Sequence, residues 1–195
     1  MSRTCIMIAA AFMAAGLTSP VAADKLPSLT PLTARDIRGI THTLPEPKSR
    51  ATVLIFIAHD CPISNSYAPE ISRLAAKYGS RGVSISLVYA EPDFTDAKAA
   101  AHEKAYSYKL PAFTSLWRTL VRATGVTATP EAVALSPEGA VLYRGRIDNQ
   151  YADLGVRRYH STSADLAAAL DDILAGKPVR TTQTKAIGCY VSANG

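Results

Sequence analysis

The sequence is poor in cysteine, with three in 195 residues, and it holds one tryptophan and 7% aromatic residues. Three cysteines are too few for a disulfide-dense scaffold. No block of five or six like charges occurs; 21 basic and 16 acidic residues are scattered and leave a net charge of +5. That mild excess does not suggest nucleic acid binding. The longest apolar run, Ile6 to Leu17, falls short of the ~20 residues that span a bilayer. Eleven glycines and twelve prolines form no repeat, which excludes collagen-like and mucin-like chains. No Gly-rich phosphate loop and no Gly-x-Ser-x-Gly elbow is found. What is there is ordinary globular composition, 48% hydrophobic and 19% charged, at the length of one domain. Disorder would need low hydrophobicity and a high net charge.

The start of the chain reads as a leader. Arg3 supplies a positive end, the apolar run follows, and Val21 and Ala23 fit a signal-peptidase site after Ala23. Cys5 precedes the apolar run, so it is not placed like a lipoprotein cysteine. Cleavage at that site removes Cys5 and leaves Cys61 and Cys189 in an oxidising compartment, periplasmic or extracellular. The mature chain then spans no membrane and keeps about 170 residues, enough for one sizeable core.

Four regions are expected: the signal peptide 1–23, a loose lead-in 24–35, a folded domain 36–176 and a tail 177–195 without periodicity. A short strand is expected over 37–43. The run Thr52 to Ala58 is apolar and rich in β-branched residues, which predicts a strand buried on both faces. Apolar positions from Ile63 to Tyr78 recur at helical spacing and stop at Gly79. A second strand follows over 83–89, then helices over 95–108 and 117–124. Strands 131–135 and 140–148 are joined by a Ser136-Pro-Glu-Gly139 turn. Ser163 is placed to cap a last helix ending at Leu174. Strands alternating with helices predict an α/β fold, its parallel strands extended by an antiparallel hairpin.

The chemistry sits where the first buried strand meets its helix. His59-Asp-Cys-Pro-Ile-Ser-Asn65 makes that connection. Pro62 suits the first helical position, where a backbone N–H has no intrahelical partner. Cys61 then stands at the helix start, facing unpaired N–H groups and the positive end of the helix dipole. Such positions lower a thiol pKa from about 8.5 to ~3.5–7.5. The alternative is an inert buried thiol. Pro69 either kinks the helix or marks its end. Thr129-Pro130, ahead of a strand, is a candidate cis bond. His59 either tunes Cys61 and carries a proton or faces solvent. Asp60 reads as a turn carboxylate, because a negative neighbour opposes a thiolate. Arg144 and Arg146, two apart on a strand, share a face and read first as salt-bridged residues. His42, His102 and His160 show no metal-ligand spacing, and Cys61 with His59 supplies only two ligands. No metal and no cofactor is expected.

Together these features resemble the thioredoxin-like superfamily, in its redoxin branch of periplasmic reductants and peroxiredoxin-like proteins. The resemblance covers about 36–176. The interval from Cys61 to Pro69 reproduces Cys-x-x-Cys-x-x-x-x-Pro, and Thr129-Pro130 matches the family's cis-proline loop. Cys61-Pro-Ile-Ser-Asn-Ser-Tyr-Ala-Pro-Glu70 and Ala186-Ile-Gly-Cys-Tyr190 look like a redoxin subgroup with a Cys-Pro-x-x-Asn motif. The resemblance implies a thioredoxin-like fold with Cys61 as nucleophile, supported by His59 and Pro62, and a partner chain held by Thr129 and Pro130. Two departures matter. Ser64 replaces the second cysteine of Cys-x-x-Cys. Leu54 and Ala58 replace the proline and threonine of the peroxiredoxin pattern, leaving Arg144 and Arg146 as the nearest basic candidates for a peroxide site.

Cys189 is the cysteine left to take the place that Ser64 vacates, and Gly188 allows close backbone approach. The other readings of Cys189 are a disulfide that only pins the tail, or a free thiol. Three functions follow. The first is an exported thiol–disulfide oxidoreductase acting on a disulfide-bearing or thiol protein, with Cys61 attacking and Cys189 resolving. The second is a thiol peroxidase, in which a hydroperoxide converts Cys61 to a sulfenic acid. The third is a non-catalytic module for a partner protein or copper.

Overall fold

The computed structural model describes residues 26–193, so the expected leader lies outside the described residues. The elements in chain order are β1 (Leu32–Arg35), β2 (Thr41–Leu44), β3 (Ala51–Ile57), α1 (Pro62–Ser66), α2 (Ala68–Gly79), β4 (Val83–Tyr89), α3 (Asp96–Tyr106), β5 (Ala112–Phe113), α4 (Trp117–Thr124), β6 (Ala128–Thr129), β7 (Glu131–Leu135), β8 (Val141–Gly145), β9 (Tyr151–Asp153), β10 (Val156–Arg157), α5 (Asp165–Leu174) and β11 (Cys189–Tyr190). The central sheet is mixed, in the order β5-β4-β3-β7-β8. β3 runs parallel to β4 and antiparallel to β7. This is the expected thioredoxin-like α/β architecture.

β3 is central because its seven residues are buried on both faces. Val53, Ile55 and Ile57 face one apolar cluster, with Ile71 and Leu74 of α2 and Leu166 and Leu170 of α5. Leu54 and Phe56 face the other, with Trp117, Leu120 and Val121 of α4. The sheet is thus covered on both sides, and β3 delivers the residues that follow it to the sheet's end. Among the described residues no helix is long and apolar enough to cross a membrane.

Several expectations need correction. The lead-in is not wholly loose: β1 pairs antiparallel with β2. The strand expected over 37–43 begins only at Thr41, and residues 36–40 form the turn between β1 and β2. The Asp36 carboxylate accepts the backbone N–H of Arg38 (2.9 Å) and Ile40 (2.8 Å), which closes the turn locally. The helix after Cys61 is two helices. Tyr67 separates them, and Pro69 lies in the first turn of α2, where its missing N–H leaves no bond unmade. Ser163 does not cap α5; Ala164 holds that position, and the Ser163 hydroxyl donates to the Asp165 carboxylate at 2.9 Å. The strand expected over 140–148 stops at Gly145. The tail is not featureless, since β11 pairs antiparallel with β6.

Candidate active site

Cys61 occupies the N-cap of α1 in extended conformation, and Pro62 opens the helix. Its side chain is fully buried. Its thiol meets two groups that are remote in sequence. One is the Thr129 carbonyl oxygen, 3.3 Å from Sγ. The other is Cys189, whose Sγ lies 2.7 Å away. The Thr129–Pro130 peptide is cis.

The tail reaches this point by steps. Its backbone first lies along β8, where the Arg144 N–H donates to the Thr182 carbonyl (2.9 Å) and the Thr184 N–H to the Arg144 carbonyl (3.1 Å). It then joins β6, with Cys189 opposite Thr129 and Tyr190 opposite Ala128. The Val191 N–H donates to the Thr127 carbonyl at 2.9 Å, and the Val191 side chain is buried. Gly188 makes the approach possible: a β-carbon there would collide with the Thr129 carbonyl group.

Electrostatics separates the two thiols. Burial pushes the Cys61 pKa up, but hydrogen bonds from the Cys189 thiol and from the Ser64 backbone and hydroxyl outweigh it and hold Cys61 below the ordinary thiol value. Cys189, an exposed residue whose sulfur is turned in against Cys61, is pushed up to about 12, by desolvation of that sulfur first, then by donating to Cys61 and by the charges of Cys61, Asp60 and Glu91. Of the two thiols Cys61 therefore ionises first. Ser64, where a second cysteine would stand, is buried and its hydroxyl also accepts the Ala58 N–H at 3.4 Å. It stabilises a thiolate without offering another thiol.

The remaining candidates lie around this pair. His59 is bound to Glu91 twice, through its N–H (2.7 Å) and through Nδ1 (2.6 Å), and its ring stacks on Phe94. Asp60 is exposed. Arg144 and Arg146 are both engaged away from the thiols, and only Arg144 lies in β8. The Arg144 guanidinium donates to the Thr124 (3.2 Å) and Gly125 (2.9 Å) carbonyls and lies 3.7 Å from Glu131. Arg146 is paired with Asp165 at 2.8 Å. His42 is paired with Asp36, and His160 packs on Tyr159. His59, Asp60 and Glu91 bring potential ligand atoms within 4.8 Å of one another; Cys61 is not in that group.

Three residues of this surround carry no marker in the sequence. Glu131 follows the cis-proline and is buried; it accepts the N–H groups of Thr127 (2.8 Å) and Ala128 (3.2 Å), which fixes β6. Glu91 holds His59 from the end of β4. His102 reaches Asn65 from α3. Glu91 and His102 act across 32 and 37 residues of sequence, so no local pattern reveals them; Glu131 bonds within four residues, but a single acidic residue after Thr-Pro does not announce a buried acceptor.

Residues 21–157 match the family model described as Redoxin. The chain belongs to the Redoxin family. The match ends before the tail that carries Cys189. A solved structure of a hypothetical protein from Sinorhizobium meliloti is similar, with 26% identity and a TM-score of 0.75 over 88% of this chain and 95% of that one. A thiol:disulfide interchange protein of the thioredoxin family from Chlorobium tepidum aligns over 79% of this chain and 99% of its own, at 18% identity and a TM-score of 0.55. Peroxidoxin BcpB from Mycobacterium tuberculosis aligns over 77% and 97%, at 17% identity and a TM-score of 0.55. These last two likenesses show the shared fold. No curated protein matches the sequence. The redoxin family and fold support a thioredoxin-like redox function for this chain.

Proposed function

We propose that this redoxin is an exported thiol–disulfide oxidoreductase, with Cys61 as the attacking thiol and Cys189 as the resolving one. The observation that carries the reading is the 2.7 Å contact between the two sulfurs, with their pKa values pushed in opposite directions. Export rests on the leader-like sequence of residues 1–23.

The reaction follows from that arrangement. The Cys61 thiolate attacks one sulfur of a partner disulfide. A Cys61–partner bond forms, the partner's S–S bond breaks, and its second sulfur leaves as a thiolate and takes a proton. With Cys61 no longer charged, one cause of the raised Cys189 pKa is gone. Cys189 loses its proton and attacks the Cys61 sulfur, which expels the partner's first thiol. The partner has gained two electrons, and Cys61 and Cys189 are left as a disulfide. An external dithiol restores them. Thr129 and Pro130 border the site and hold the partner chain; in the reduced protein β11 covers the same edge of β6.

Reduction of insulin in the presence of dithiothreitol tests the reading. Wild-type protein accelerates it, Cys61→Ser does not, and non-reducing peptide mapping of the oxidised protein yields a linked Cys61–Cys189 peptide. Consumption of hydroperoxide with no insulin reduction would move the assignment to a thiol peroxidase.

A further inference from the structure

The Cys-Pro-x-x-Asn stretch holds one polar side chain that disulfide exchange does not use. Asn65 lies near the end of α1, and its side chain turns back toward the residues before Cys61. Its Nδ2 donates to the His59 carbonyl oxygen at 2.8 Å. A carbonyl oxygen only accepts, so the amide nitrogen must face it and Oδ1 must face the other way. There Oδ1 meets His102 Nε2 at 2.9 Å. Oδ1 also only accepts, so Nε2 carries the proton. In the neutral ring Nδ1 is then bare, and it accepts the Tyr89 hydroxyl at 3.0 Å.

The result is a chain of donors running one way: Tyr89 to His102, His102 to Asn65, Asn65 to the His59 carbonyl. It starts inside the core, because Tyr89 is fully buried and His102 nearly so. Burial first, and then the neighbouring His59, holds the His102 pKa below its ordinary value and keeps the ring neutral. The other rings against it are those of Tyr106 and Tyr108, and Glu103 is its chain neighbour. From the opposite side Glu91 accepts the His59 N–H at 2.7 Å. Both polar groups of the His59 backbone are thus held by side chains, two residues before the thiol.

We propose that Asn65 and His102 are positioning residues for the Cys61 thiol, acting through the backbone of the His59–Cys61 turn. They touch no sulfur. They fix the turn so that Cys61 Sγ stays against the Ser64 N–H, the Ser64 hydroxyl and the Cys189 thiol, which favour its thiolate. Geometry of that kind is lost when the supporting shell loosens by about 1 Å. The proposal rests on reading Cys61 as the nucleophile.

Titration of the Cys61 thiolate by its absorbance near 240 nm, together with single-turnover exchange on a protein disulfide, tests it. Asn65→Ala and His102→Phe each raise the Cys61 midpoint by about one pH unit and slow exchange near neutral pH about tenfold, as expected for loss of hydrogen bonds to a thiolate. Because the two side chains act in series, the double variant shifts the midpoint no further than either single one. His102→Gln, whose amide can still donate to Asn65, recovers most of the shift. Melting temperatures separate this role from a merely structural one: Asn65→Ala strands the His102 N–H and lowers the melting temperature, and a substitution remote from the turn that lowers it equally leaves the Cys61 midpoint unmoved. An unchanged midpoint in Asn65→Ala, or shifts that add in the double variant, would overturn the proposal. Should wild-type Cys61 titrate at the ordinary thiol value, the nucleophile reading itself has failed, and the variants are not needed to show it.

Discussion

The two cysteines reach one point by opposite routes. The Cys61 turn is marked by its own neighbourhood in the chain, and side chains from farther away only hold it. An apolar strand ends, a proline starts a helix, and the thiol sits between them. The Cys189 segment has no periodicity and forms a two-residue strand, so its place depends on partners far back in the chain. One is buried and the other exposed. The difference teaches that a thiol marked in the local sequence can be paired with a second thiol whose position is specified only by the finished fold. Perturbations should therefore act unequally on the two regions.

The largest effect is expected at the thiols. Cys61→Ser should abolish turnover, with loss of at least about three orders of magnitude, because the attacking group is gone. Cys189→Ser should keep the first attack, slowed near neutral pH by no more than about tenfold through the loss of the Cys189 hydrogen bond to Cys61. It accumulates a trapped mixed disulfide at Cys61 and slows multiple turnover about ten- to hundredfold, since only external thiols then resolve it. Mass mapping of the trapped adduct decides between the roles. A Cys189→Ser variant that turns over at the wild-type rate would break the asymmetry.

A smaller effect isolates the tail without removing a sulfur. Gly188→Val places a side chain against the Thr129 carbonyl group, which sits between β6 and β7 and cannot yield easily. The tail should lift from β6 while the two apolar clusters stay packed. Disulfide formation between Cys61 and Cys189 should slow about tenfold, and the first attack on a partner should slow less, by the part that the lost Cys189 hydrogen bond contributes to the Cys61 thiolate. Rapid-quench alkylation of both thiols during reoxidation measures it.

The same comparison separates what sequence shows from what it hides. The run Thr52 to Ala58 announces β3 because burial on both faces demands unbroken apolar residues. Cys61, Pro62 and the Thr129-Pro130 pair are legible because a strand end, a helix start and a proline-bearing turn leave local marks. The split between α1 and α2 is hidden, since Ile63, Tyr67, Ile71 and Leu74 keep helical spacing straight through the break. β6 and β11 are hidden because two residues carry no pattern. The supporting side chains Glu91 and His102 are hidden because each meets the site by tertiary contact, and Glu131 because one carboxylate bonding back to residues 127 and 128 leaves no pattern in the sequence. Asn65 could be quoted as part of a motif, but its role needs the ring of His102, 37 residues away.

A shift in pH response comes next. The Cys189 thiol is the leading hydrogen bond that lowers the Cys61 pKa. In Cys189→Ser a hydroxyl replaces it as donor at a longer sulfur-to-oxygen reach, so the Cys61 midpoint should rise toward the ordinary value by up to about one unit. The stability consequence has a definite sign. A depressed folded-state pKa contributes stability that is present above the unfolded thiol value and lost as pH falls through the folded one. The raised value of Cys189, about 12, acts oppositely: its contribution is present below the unfolded value and lost as pH rises toward 12. Thiolate absorbance followed from pH 5 to 9 in both proteins checks the first statement.

The smallest effect is expected at Glu131, which serves both regions by fixing the strand they share. Its carboxylate is buried, and burial raises its pKa despite the N–H groups of Thr127 and Ala128 and the Arg144 charge, which lower it. A carboxyl with a raised folded-state pKa favours the fold while protonated and loses that advantage as pH rises through the folded value. Glu131→Gln keeps an oxygen for the two backbone donors and removes the buried charge. Arg144 keeps its bonds to the Thr124 and Gly125 carbonyls. The two changes oppose each other, so the net effect at pH 7 should be within about 1 kcal/mol. Between about pH 4.5 and 7 wild-type stability should gain less, or lose more, with rising pH than the variant does, because only the wild type must ionise this buried carboxyl. Urea unfolding at several pH values measures the divergence. A variant that instead loses several kcal/mol at pH 7, together with Cys61–Cys189 disulfide formation, would show that the ionised carboxylate itself holds β6, and that the tail depends on a charge and not only on backbone pairing.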